Sequence, residues 1–133
     1  MNPYYSAIAE RARSRCEYCH APEQVFNFPF EVEHIQSRSR GGDNAAENLS
    51  LACESCNVFE SDAITGLDPV EMVDISLFHP RRDSWQEHFA VNVEEAVIVG
   101  QTAAGRTTVL RLRMNSVFQI QARRQWILLG LYP

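Results

Sequence analysis

Four cysteines stand in two pairs, Cys16-Glu17-Tyr18-Cys19 and Cys53-Glu54-Ser55-Cys56. Two residues between cysteines let a tight turn aim both sulfurs at one point. Two such turns supply the closed thiolate set of a structural zinc ion. A redox dithiol is the other chemistry open to one CxxC pair, but two pairs in a chain with no secretory look favour Zn2+ held by Cys16, Cys19, Cys53 and Cys56. Residues 20–52 separate the pairs, so a substantial element must lie inside the clasp. That interval holds Glu33-His34, then Arg38 and Arg40 before Gly41-Gly42, then Asn48; Asn57 follows Cys56 directly. Histidine has an unperturbed pKa near neutrality and can take a proton from water, which makes His34 a candidate general base. A hard divalent cation such as Mg2+ prefers oxygen ligands and keeps waters, so one or two protein oxygens suffice. Glu33 offers a carboxylate and Asn57 a carbonyl oxygen. A base and a cation site together are what hydrolysis of a phosphodiester requires.

The elements that must position these groups are short. Pro3 to about Ser14 reads as a helix with aromatic and alanine residues on one side and arginines on the other. Gln24–Phe28 and Phe30–Ile35 both alternate polar with apolar, predicting two short strands broken at Pro29. The second run puts Phe30, Val32 and His34 on one side, and Glu33 faces the other way. Glu33 and His34 therefore serve one phosphate only if the strand ends or twists there. Ser37–Asn44 reads as a loop, Asn48–Ala52 as another strand, and Cys53–Ser61 as two helical turns. Farther on, Trp85–Val93 carries spaced apolar residues and Ala96–Gly100 reads as a buried strand. Thr107–Met114 and Ser116–Leu129 read as helices, with Leu110, Val117, Ile120, Ile127 and Leu128 available to a core.

Composition sets the bounds. A chain of 133 residues fits one domain with a modest core. The formal net charge of −5 gives no overall basic signature, so contacts to a polyanion must come from local patches. All 12 basic residues are arginine, the side chain that grips phosphate with a planar fork. The first fifteen residues lack the apolar centre of a signal peptide, and the apolar run Trp126–Leu129 is far too short for a bilayer. A cytoplasmic protein with no membrane partner is the expectation.

CxxC, then VEHI, then RSRGG, then ENLSLACESCN resembles the zinc-clasped branch of the HNH, or ββα-metal, endonucleases. The resemblance covers Cys16 to about Asp62. Downstream, LFHPRRDSWQEHF and AAGRTTVLRLRMN are similar to a set of small stand-alone HNH proteins. It implies that the acid Glu33 and the asparagine Asn57 hold the catalytic ion while His34 activates water. It also implies that Asn48 ties the loop backbone and fixes the histidine, where the bare sequence would allow an ordinary turn asparagine. Two positions depart from the pattern: Glu33 stands where the family more often has aspartate, and Glu60 where relatives often carry lysine. The two departures imply either slow activity or a preference for a larger, softer ion such as Mn2+ or Ni2+. Arg38 and Arg40 are the candidate phosphate contacts, with Gly41 and Gly42 admitting a phosphate backbone closely. Arg11, Arg13, Arg15, Arg81 and Arg82 would extend the footprint, while His20, His79 and His88 read as surface or structural residues.

These readings predict an α+β fold: a ββα-metal core over residues 16–62, stapled by a four-cysteine zinc site, with a C-terminal helix and strand extension over 67–133 in the same domain. The function they imply is metal-dependent endonucleolytic hydrolysis of DNA with low sequence specificity. Two rivals remain open. One is a catalytically weakened zinc-stapled adaptor that binds nucleic acid. The other is a nuclease subunit acting with a protein partner, or as a homodimer, inside a larger assembly.

Overall fold

A computed structural model describes residues 2–133. The chain opens with helix α1, Tyr5–Arg11, which buries Ile8 and Ala9. The run at Gln24–Phe28 is not a strand: Glu23–Val25 forms a single 3-10 turn. Pro22 and Pro29 bracket it, and the Glu23 carboxylate accepts hydrogen bonds from Tyr5 Oη and from the Phe30 amide, both at 2.7 Å. Those bonds curl the segment back on itself and leave no free edge for a ladder.

Strands β1, Glu31–His34, and β2, Leu49–Ala52, pair antiparallel with Glu33 opposite Ser50 and His34 opposite Leu49. The hairpin is covered on both faces, since all four β2 residues are buried. Helix α1 packs on this hairpin, and so does helix α2, Glu54–Glu60, which starts at Cys53 and buries Cys56 and Glu60. Its acidic Glu54 lies in the first turn, where the helix dipole favours a negative charge.

The rest of the chain wraps the other side. Strands β3, Thr65–Leu67, and β4, Asp74–Ser76, form a small hairpin, and β5, Phe89–Asn92, pairs with β6, Val97–Gly100, after the single-turn helix α3, Trp85–His88. Helix α4, Ala103–Arg111, is capped by Thr102, whose hydroxyl accepts from the Gly105 amide. Gly105 must lack a Cβ because one would strike the His88 carbonyl. Helix α5, Val117–Leu128, begins at Ser116 and stops before Gly130 in the left-handed region.

The core is continuous from Ile8 to Tyr132, so the extension and the hairpin share buried surface. Its membership corrects the expectation for the C-terminal helices. Leu110, Val117 and Leu128 are exposed, whereas Leu112, Met114 and Trp126 are buried. The phase of α5 is set instead by Gln119, Arg123 and Trp126. Arg123, fully buried, donates to the carbonyls of Ala96 at 2.8 Å and Met114 at 2.7 Å and lies over the Tyr132 ring. Among the described residues no helix is long and apolar enough to cross a membrane.

Candidate active site

The two cysteine turns meet. The sulfurs of Cys16, Cys19, Cys53 and Cys56 lie within 4.8 Å of one another and all four residues are buried. A zinc ion with bonds of ~2.3 Å sits in a sulfur tetrahedron whose edges are roughly 3.8 Å; Cys19 Sγ and Cys53 Sγ stand 3.7 Å apart. The crowding is chemically demanding. Contact with Cys16, then with Cys19 and Cys53, together with burial, drives the Cys56 thiol well above its ordinary range. Four thiolates coexist there only with a cation between them, so the donor set fits structural zinc.

The residues between Cys16 and Cys19 join this clasp to its surroundings. The Glu17 amide donates to the Leu51 carbonyl and its carboxylate accepts from the Leu51 amide, both at 2.8 Å, tying the first turn to β2. Arg81 pairs with Glu17 on the other side. Trp85 Nε1 donates to the Tyr18 carbonyl and Tyr132 Oη to the Cys19 carbonyl, each at 2.8 Å. His20, expected at the surface, is half-buried with a left-handed φ of 64° and stacks on Trp85, ring centroids 4.0 Å apart. Burial, and then the Arg15 charge, lowers its pKa to about 4.

Strand alternation separates Glu33 from His34 as the pleat requires. Glu33 points inward and is only 7% exposed, accepting from Ser50 Oγ at 2.9 Å. On the facing helix, Glu60 is 3% exposed, and its Oε2 and the buried Tyr18 hydroxyl have no hydrogen-bond partner among the described residues. Each carboxyl feels the other. Burial raises the pKa of both above the ordinary carboxylate range, and the Glu33 charge raises Glu60 further. Asn57 lies one turn before Glu60, half-buried on the same side of α2. Glu33, Asn57 and Glu60 are thus carried by two elements packed face to face.

His34 ends β1 on the opposite, half-exposed face, where its Nε2 lies 2.7 Å from Asn44 Oδ1. An amide oxygen only accepts, so Nε2 carries the proton and Nδ1 is the basic nitrogen. The loop that delivers Asn44 is closed by Asn48. Its Oδ1 accepts from the Gln36 amide at 2.8 Å, and its Nδ2 donates to the carbonyls of Gln36 at 3.0 Å and Asp43 at 2.8 Å. Gly42 completes this closure. A Cβ there would strike the Gln36 carbonyl, so its bareness lets the loop close. Gly41 has open space and a φ of 88°.

The arginines divide. The Arg38 side chain is exposed, with no hydrogen-bonded partner among the described residues, and Arg40 Nε donates to the Asp62 carbonyl at 2.7 Å. Arg11, Arg15 and Arg81 are committed internally: Arg11 to the carbonyls of Ala46 and Leu49, Arg15 to those of His20 and Leu131, Arg81 to Glu17. A cleft of about 680 Å³ lies beside the loop, lined by Ile35, Gly42, Asn48, Glu60, His79 and Arg82 among others. His79 Nδ1 accepts from the Arg81 and Arg82 amides at 3.1 and 3.3 Å.

Sequence reasoning missed Tyr18, Ser50 and the inward turn of Glu60. The four-residue step from Cys56 to Glu60 was the available signal, because it puts both on one helical face.

Residues 16–62 match the HNH endonuclease family. That match covers 47 of the 133 residues, and over that span the chain is similar to an HNH domain. The matched span begins at the first cysteine, contains the hairpin and loop, and ends just past α2, so the HNH-like segment coincides with the clasped ββα unit. The family points to a nuclease acting on nucleic acid and commonly using a divalent metal. No curated protein and no solved structure matches the chain.

Proposed function

We propose that this protein is a metal-dependent endonuclease that hydrolyses DNA phosphodiester bonds, nicking or cutting with low sequence specificity. The observation that carries the reading is His34: a histidine at the open end of β1, oriented by Asn44, within an HNH segment whose hairpin is pinned by four cysteines. His34 Nδ1 takes the proton of the attacking water, and Asn48 keeps the loop closed so that Asn44 stays at Nε2. Glu33 and Asn57 are the residues that would hold the divalent ion, with unpaired buried oxygens beside Glu33 marking room for further bonds. When bound, the ion neutralises charge on the phosphate and the leaving oxygen. Arg38 and Arg40 steady the phosphate backbone from the loop, and with so few contacts binding is weak and salt-sensitive. Products carry 5′-phosphate and 3′-hydroxyl ends. The extension acts with the core as one domain over 1–133, and four reduced cysteines suit the cytoplasm.

The adaptor reading draws on one observation, the buried Glu33–Glu60 pair, which a shared proton would satisfy without any ion. Supercoiled plasmid incubated with zinc-loaded protein and Mg2+, Mn2+ or Ni2+ separates the two. The nuclease produces nicked circles that His34→Ala does not; retention of DNA without nicking in any of the three metals supports the adaptor.

A further inference from the structure

The geometry points to Glu60 as a ligand of the divalent ion beside Glu33, reached by the substrate phosphate through the cleft that Glu60 lines. This rests on the reading of Glu33 as an ion ligand and adds a residue that the family pattern does not supply there.

Glu33 and Glu60 come from β1 and α2, face each other, and are both more than nine-tenths buried. No arginine pairs with either among the described residues. Two carboxylates removed from water without a cation are costly. Among the described residues, the single donor that reaches either with good geometry is Ser50 Oγ on Glu33 Oε1. Glu60 Oε2 makes no well-formed hydrogen bond among the described residues, and neither does the Tyr18 hydroxyl, itself buried against the same carboxyls. Unpaired buried oxygens between two packed elements are what a cation site presents.

The donor chemistry fits a hard ion. Two carboxylates and the Asn57 amide oxygen suit Mg2+, Mn2+ or Ca2+, while the soft thiolate set next door takes zinc. Glu60 also lines the 680 Å³ cleft, and Glu33 does not. Glu60, although only 3% exposed, is therefore the member of the pair that borders this cleft, on the side of Asn48, His79 and Arg82.

The test is Mn2+ titration of the zinc-loaded protein, followed by electron paramagnetic resonance, with wild type, Glu60→Gln, Glu33→Gln and the remote control Glu71→Gln. Gln keeps the volume and removes a buried charge, so the variants fold, as circular dichroism verifies. Wild type and Glu71→Gln should take up Mn2+ alike, with Glu60→Gln and Glu33→Gln weakened by about tenfold or more, as expected when ligand charge is removed. Glu60→Gln binding Mn2+ like wild type would overturn the assignment while leaving the nuclease reading intact. Wild type taking up no Mn2+ at millimolar concentration would overturn it too, with the pair then sharing a proton. His34→Ala should bind Mn2+ as wild type does, so a failure of cleavage and a failure of ion binding are read separately.

Discussion

Asn48 and Gln36 are joined edge to edge. The side-chain amide of Asn48 accepts from the backbone amide of Gln36 and donates to its carbonyl, at 2.8 and 3.0 Å. This pair sits two residues past His34 and closes the loop that returns to β2. Asn48→Asp keeps the acceptor and loses both donors, while Asn48→Ala loses all three bonds. Asn48→Ala should cost about 2 kcal/mol of stability, with Asn48→Asp intermediate. Urea denaturation of zinc-loaded protein measures both, and plasmid nicking should fall in the same order.

Asn44 is predicted to matter for rate without mattering for the fold. It is exposed and touches the ring of His34 at Nε2. Asn44→Ala should leave the melting temperature within a degree or so and lower cleavage by about tenfold, the scale expected when a general base is free to wander. Equal rates for Asn44→Ala and wild type would remove Asn44 from the mechanism.

The clasp supplies a prediction about metal removal. Purified protein should contain about one zinc per chain, and chelation should abolish its cooperative unfolding transition, since structural zinc and folding are coupled. Trp85→Phe tests how the extension supports the clasp: it keeps a ring on His20 but loses the bond from Nε1 to the Tyr18 carbonyl. That bond is worth about 1 kcal/mol, read as a shift in the urea midpoint.

Much of the core was legible because the cysteine spacing and the two-residue period leave few choices. The turns at Cys16 and Cys53, β1, β2 and α2 all fall where the sequence places them, within a residue or two. The run at Gln24–Phe28 misled, because alternation says nothing of whether a partner strand is present, and Glu23 curls that segment onto Tyr5. The β3–β4 hairpin was invisible: three residues per strand, Thr65–Leu67 and Asp74–Ser76, are too few to show a period. In α5 the apolar residues looked like core, yet the buried stripe follows Arg123, whose guanidinium satisfies carbonyls that no apolar side chain could. The site was legible as a set of types and not as a set of directions. In the sequence Glu60 reads as a charge near the phosphate, and in the fold it turns inward toward Glu33.

Outside the site, Asp68 gives a pH prediction. Its carboxylate accepts from Arg106 Nε at 3.0 Å and Nη2 at 2.9 Å, and these contacts lower its pKa from 3.8 to about 2. A carboxyl with a depressed folded pKa stabilises the protein above its unfolded value, and that contribution disappears as the pH falls toward the folded one. Asp68→Asn should therefore be less stable than wild type at pH 7. The gap should close between about pH 4 and pH 2, as followed by urea midpoints on both proteins. A gap that stays constant across that window would assign the effect to packing alone.

The most direct test of the central claim is chemical rescue at position 34. The half-exposed setting of His34 lets a small molecule reach the hole left by its ring. Under single-turnover conditions with Mn2+ and supercoiled plasmid, His34→Ala should nick about a hundredfold or more slowly than wild type, the usual contribution of a general base. Added imidazole should restore part of that rate in the variant and none in wild type. Nicking by His34→Ala at the wild-type rate, with or without imidazole, would contradict the account.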